Sequence, residues 1–198
     1  MLLPYRDRFP ALGARVFVAP DATLVGDVTL GDDSSVFFQS VLRADINAIR
    51  IGARSNIQDH CTVHLASDVG VVVGDDVNVG HRCILHACTI GDRVLVGMGS
   101  ILMDDVVIGE DSIVGAGSLI SKGKTFPTGS LIVGSPARLL RPLTEEEKAS
   151  IPKLAAKYVG VKDEYLRAGS EGRGAESERT RQENQANPPD VMNQIGIR

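Results

Sequence analysis

The sequence predicts a mainly β fold, a parallel β-helix in which short strands stack coil upon coil as a narrow prism. The first observation is a repeat. From Val73 to Ala137 the chain divides into VGDDVN, VGHRCI, LHACT, IGDRVL, VGMGSI, LMDDVV, IGEDSI, VGAGSL, ISKGKT, FPTGSL and IVGSPA, six residues at a time with one five-residue step. Every unit opens on an aliphatic or aromatic residue, and a period near six belongs neither to a helix nor to a plain strand. It is the mark of a hexapeptide solenoid. The second observation is the fifth position, filled by small or β-branched residues such as Val77, Cys83, Val94, Ser100, Val106, Ser112 and Ser118. The third is composition: the 198 residues are 43% hydrophobic but only 4% aromatic, with no tryptophan and 21 glycines, which suits a thin core with many corners.

Taken in order, residues 1–11 form an N-terminal segment and the repeat runs over 12–142. LGARVF opens it at Leu12, and VAPDAT, LVGDVT, LGDDSS, VFFQSV and LRADIN follow. Ala48 to Arg50 interrupt the count, IGARSN resumes at Ile51, and a short insertion near Asp68 to Val72 precedes Val73. Three hexads make one triangular coil, so the faces can be numbered. Leu12, Ile51, Val73, Ile90 and Ile108 share the first face; Val18, Ile57, Val79, Val96 and Val114 the second; Leu24, Leu42, Val63, Leu85 and Leu102 the third. About seven coils result, a prism roughly 30–35 Å tall at ~4.8 Å per stacked strand.

Thr144 and Glu147 then make a capping box for a helix over 143–168, expected to break near Pro152. Leu154, Tyr158, Val161, Tyr165 and Leu166 supply its apolar stripe. The polar stretch 169–198 reads as a disordered tail.

Several classes of function fall away. A net charge of −4 argues against nucleic acid and anionic membrane as partners. No run of eighteen apolar residues exists, and Arg6, Asp7 and Arg8 break the N-terminus before a secretory signal could form. Cys61, Cys83 and Cys88 lack CxxC spacing and read as reduced core thiols. The expected location is cytoplasmic.

All four histidines lie between positions 60 and 86. His64 follows Val63 and His86 follows Leu85, so both hold the second position on the third face in adjacent coils. If Val63 and Leu85 point inward, His64 and His86 point outward, one above the other at about 5 Å. Arg43 lies in that column one coil earlier, whereas His81 is a third-position residue near another edge. Two stacked imidazoles can share a metal, and a third from a neighbouring subunit would complete the site, most simply in a cyclic trimer. Three neutral nitrogens leave a coordination position open, as in catalytic zinc. The competing reading is a set of solvated edge residues.

Arg43-Ala44-Asp45, Asn56-Ile57-Gln58-Asp59, His64 and Gly80-His81 with His86 five residues on together resemble the γ-class carbonic anhydrases and relatives labelled ferripyochelin-binding proteins or hexapeptide transferases. The resemblance covers the chain to about Leu166. It implies a left-handed β-helix, a homotrimer, and reversible hydration of CO2 to bicarbonate by a metal-bound hydroxide at an intersubunit site. The metal is implied to be divalent, zinc first, with iron or cobalt as alternatives. It further implies His64 and His86 of one subunit and His81 of the next as ligands, and Gln58 as hydrogen-bond partner of the hydroxide. Asn56 would support the pocket, and Arg43 would pair with Asp45 and Asp59 around the interface. The chain departs from the family prototype in having no glutamate in LASDVGVVVGDD and Ile46 after Asp45. His60 and Tyr158 are candidate cavity or proton-shuttle residues in their place. Two other readings stand beside this one, a CoA-dependent acyltransferase and a noncatalytic metal-binding scaffold.

Overall fold

Alternation along each short strand turns the first residue of a hexad inward and its neighbours outward, and stacking repeats that choice coil after coil. The computed structural model describes the backbone of residues 1–186 and the side chains of residues 1–169; residues 187–198, part of the expected tail, lie outside the described residues. Val36, Ile57, Val79, Val96, Val114 and Ile132 pair in parallel register as one inward column, each wholly buried. Leu24, Leu42, Val63, Leu85, Leu102 and Ile120 make the second column. Leu30, Ile51, Val73, Ile90, Ile108 and Phe126 make the third. Each such side chain contributes about 1.5–3 kcal/mol by leaving water. The fold is a parallel β-solenoid of about seven turns followed by one helix. Leu12 pairs with Leu30 in the outermost strand and is 41% exposed, a rim residue rather than a core one.

The interruption at Ala48 to Arg50 has a structural meaning. Val41–Ile51 is one continuous strand pairing with Thr23–Leu30, and both turn the corner between the third and first faces without a break. These two faces therefore join as one 12-stranded sheet, while the remaining face is 8-stranded. Gly26 sits where the register shifts, at φ 76°, and a Cβ there would stand 2.2 Å from the Ala44 carbonyl oxygen. Leu2–Leu3 of the N-terminal segment adds to the same sheet, beside Leu24 and Val25.

The corners use the left-handed backbone region even without glycine. Arg15, Asp33, Arg54, Asp76, Arg93 and Asp111 hold φ between 52° and 58° along one edge. Each arginine there pairs with the aspartate one coil on: Arg15 with Asp33, Arg54 with Asp76 at 2.8 Å, Arg93 with Asp111 at 2.7 Å. Ser100, Ser118 and Ser130 turn their buried hydroxyls onto corner carbonyls. Cys61, Cys83 and Cys88 are buried free thiols, and burial pushes Cys88 up to about 12.

After an antiparallel hairpin, Ser130–Gly134 with Ala137–Pro142, the helix Glu145–Ala186 begins at the expected capping box. Thr144 Oγ1 accepts from Glu147 N at 3.2 Å, and Glu147 Oε2 accepts from Thr144 N at 2.8 Å. The Arg141 guanidinium and that backbone N–H hold Glu147 down at about 2. Two expectations need correction. Pro152 does not break the helix: Ile151 and Ala155 are buried on either side of it, and that packing offsets the missing hydrogen bond. Among the described side chains of the helix Ile151, Ala155 and Lys162 are buried, whereas Tyr165, expected on the apolar stripe, is 43% exposed. The helical backbone is described as far as Ala186. Met1–Lys162 form one compact unit, and the chain from Asp163 a second. Among the described residues no helix is long and apolar enough to cross a membrane.

Candidate metal centre

His64 ends the strand Thr62–His64 and His86 ends Ile84–His86; the two strands pair in parallel with His86 opposite His64. Their inward neighbours, Val63 and Leu85, are wholly buried, so pleating sends both imidazoles out on one face. The rings stand 5.2 Å apart between centroids, and His64 Nδ1 lies 3.2 Å from His86 Nε2.

The far nitrogens explain how those near ones are presented. His64 Nε2 lies 3.2 Å from Asp45 Oδ1, and His86 Nδ1 lies 3.2 Å from Asp104 Oδ1. An ionised carboxylate can only accept, so each far nitrogen carries its ring's proton in the neutral imidazole. Both near nitrogens then present lone pairs to one another, a repulsive contact in bare protein and a chelating one around a cation. Two nitrogens held by one tetrahedral zinc at roughly 2.0–2.1 Å stand about 3.3–3.4 Å apart. The observed separation fits that bite. Arg43 caps the cluster from below through its ion pair with Asp45. Burial pushes the Asp45 carboxyl up, but hydrogen bonds from Arg43 and His64 leave it below the usual carboxylate range.

A second group gathers at the neighbouring edge. His81 Nδ1 lies 2.8 Å from Asp59 Oδ2, and Asp59 is itself fixed by accepting from Phe38 N at 3.1 Å. His81 lines a cavity of about 400 Å³ with Gln58, Leu95, Ile113, Leu154 and Tyr158. Gln58 is buried, and Gln58 Nε2 donates to Asn56 Oδ1 at 3.1 Å. Asn56 Nδ2 donates to Asn78 Oδ1 at 2.8 Å, and Asn78 Nδ2 to the Ile151 carbonyl of the helix at 3.3 Å. The amide is thus anchored at the end of a buried relay. Tyr158 packs edge-on against Phe37, 5.7 Å between centroids. Burial and then the Asp59 charge raise its phenol, against the pull of a hydrogen bond with Gln58.

The sequence-derived residues therefore fall into two groups: His64, His86, Asp45 and Arg43 in one, His81, Asp59, Gln58, Asn56 and Tyr158 in the other. Among the described residues of this single chain, no three His, Cys, Asp or Glu side chains converge as a cation site. Within the chain Arg43 pairs with Asp45 and not with Asp59. His60 occupies a left-handed corner at φ 61°, exposed, and no hydrogen bond or ion pair among the described residues ties its side chain to the other histidines. Two contributors escaped the sequence reading. Asn78 is the in-register partner of Asn56, a match of hexad endings that was legible. Asp104 stands one coil after His86 and one hexad position further on, a diagonal contact that counting by columns does not reveal.

The chain is similar to several known hexapeptide-repeat proteins. Residues 87–122 match the family described as bacterial transferase hexapeptide (six repeats). The chain is 46% identical to protein YrdA of Escherichia coli, over 86% of this chain and 97% of that protein. It is 38% identical to a carbonic anhydrase of Geobacillus kaustophilus, over 85% of this chain and 92% of that one. Among solved structures, a hexapeptide transferase family protein from Anaplasma phagocytophilum superposes with a TM-score of 0.80 at 42% identity, covering 83% of this chain and 98% of that chain.

Proposed function

The chain belongs to the γ-carbonic-anhydrase-like family of hexapeptide-repeat proteins, and we propose that it hydrates CO2 reversibly to bicarbonate at a metal centre shared between subunits of a homotrimer. The observation that carries this reading is the facing pair of imidazole nitrogens, 3.2 Å apart, each ring backed by a carboxylate. His64 and His86 of one subunit would hold a divalent metal, zinc first, together with His81 from the next subunit. Such an ion supplies activated water at neutral pH, roughly 7 in place of 15.7 for the pKa of bulk water.

The chain's own residues do the rest. Asp45, Asp104 and Asp59 keep one ring proton on each histidine, so the opposite nitrogens stay free to bind. Gln58, immobilised by Asn56 and Asn78, offers an amide that orients a nucleophile without itself titrating, and Tyr158 steadies it from the helix. Leu95, Ile113 and Leu154 wall the cavity with apolar surface, which favours CO2 over charged bicarbonate. Arg43 with Asp45 braces the subunit edge.

Metal analysis and a CO2 hydration assay on one preparation test the reading. Light scattering should give three chain masses. His81→Ala should lose metal and activity together. Gln58→Ala should keep trimer and metal while activity falls, by a factor on the order of 10–100. Metal-loaded protein inert toward CO2 from neutral pH to about 9 would end the enzymatic proposal for this substrate, leaving a metal-binding scaffold. An acyltransferase is the second reading, favoured by the likeness to a putative acetyltransferase from Bacillus cereus, TM-score 0.82 at 41% identity, covering 83% of this chain and 96% of that one. Saturable acetyl-CoA binding at micromolar concentration that protects the cavity would promote it.

A further inference from the structure

We infer that Asp104 is a positioning residue for His86: by accepting from Nδ1–H it fixes the tautomer whose Nε2 lone pair faces His64. The inference rests on the metal centre proposed above, and it concerns a residue in neither group of sequence-derived residues. Asp104 Oδ1 lies 3.2 Å from His86 Nδ1. Its side chain is 27% exposed and that of His86 is 35% exposed, so the contact is partly shielded from competing water.

Among the described residues no lysine or arginine pairs with this carboxylate. Asp105, its sequence neighbour, takes Lys122 at 3.4 Å, and Arg43, the arginine of this cluster, is engaged by Asp45. Asp104 follows Met103, just past the strand Ile101–Leu102, which pairs in register with Ile84–Leu85. The coil above the ligand thus carries the group that orients it. Which ring nitrogen of a histidine holds the proton is set by the hydrogen bond the other makes. An acceptor at Nδ1 leaves the lone pair on Nε2, the nitrogen that meets His64. Asp45 does the mirror-image task for His64, so the pair enters the metal site with both lone pairs inward. Outer carboxylates of this kind are typically worth about 10–100-fold in metal affinity.

The test uses the full-length chain in two states. In metal-free, 15N-histidine-labelled protein at a pH where imidazole is neutral, long-range 1H–15N spectra report the tautomer, with the His86 signals identified by their loss in His86→Gln. Wild type should show Nδ1–H at His86. Asp104→Ala should shift His86 toward the other tautomer and weaken zinc about 10–100-fold in chelator competition. Asp104→Asn, which keeps an acceptor oxygen but loses the charge, should weaken zinc less. Asp105→Asn should move neither readout. Circular dichroism checks that each variant is folded. A wild-type His86 protonated at Nε2 overturns the inference. So does any result in which the Asp104→Ala tautomer and zinc affinity fail to change together. Neither readout involves CO2. Wild type that takes up no zinc would sink the metal centre itself, whereas zinc binding indifferent to Asp104 would sink this inference alone.

Discussion

Two stacks of polar side chains climb this prism, and they solve opposite problems. Along one corner, Arg15, Arg54 and Arg93 each close onto an aspartate of the next coil, so every charge finds its complement within the chain. On the third face, His64 and His86 are also stacked one coil apart, yet their carboxylates lie behind them and their lone pairs meet. The corner is electrostatically finished. On the reading proposed above, the histidine column would be finished by an ion from outside. A periodic scaffold can hold either arrangement with the same backbone; what differs is whether the outer partner is placed ahead of the side chain or behind it.

Replacing His86 by Ala should break the comparison most severely. Metal and CO2 hydration should both fall to background, while circular dichroism of the β-solenoid stays as in wild type, because His86 packs outward from the buried Leu85. Loss of the fold instead would mean the histidine column is structural, like the corner.

The next effect lies at the end of the corner stack. Lys162 is wholly buried with its ammonium 2.9 Å from Asp33 Oδ1. Asp33→Ala removes the carboxylate beside a buried cation, and urea unfolding should show a loss of about 3–5 kcal/mol. A loss below about 1 kcal/mol would show that this pair behaves as an exposed one.

A pH series sharpens the same point. Hydrogen bonds from Arg15 first and Lys162 second hold Asp33 down at about 2, against a usual 3.8. A depressed carboxylate contributes stability that is full above its unfolded pKa and drains as pH falls from about 4 through about 2, since the unfolded chain then takes up the proton first. The stability gap between wild type and Asp33→Asn should therefore narrow by on the order of 1–2 kcal/mol between pH 5 and pH 2.5. A gap constant over that range would contradict the assignment.

Smallest should be the middle of the corner. The Arg54 side chain is 45% exposed, so Arg54→Ala should cost about 0.2–1 kcal/mol, less at high salt. A larger, salt-independent loss would mean the arginine matters by packing its stem rather than by its charge.

The hexad count alone places Val63 and Leu85 inside, and so His64 and His86 outside and adjacent; it also puts His81 on another edge. Those assignments follow from a period, and a period propagates without reference to anything distant. The capping box at Thr144 and Glu147 was legible for the same local reason. The remainder depends on contacts that repeat nowhere. The helix passes through Pro152 because packing around Ile151 and Ala155 outweighs one lost hydrogen bond. Lys162 is buried because the chain returns past more than a hundred residues to meet Asp33. Asp104 reaches His86 diagonally between coils, and Asn78 ties Gln58 to the helix through an amide relay. Sequence by itself determined which side chains share a column, since backbone alternation and coil length are local. Only the tertiary structure decided which polar atoms face one another, because rotamers and helix docking answer to neighbours that the period does not encode.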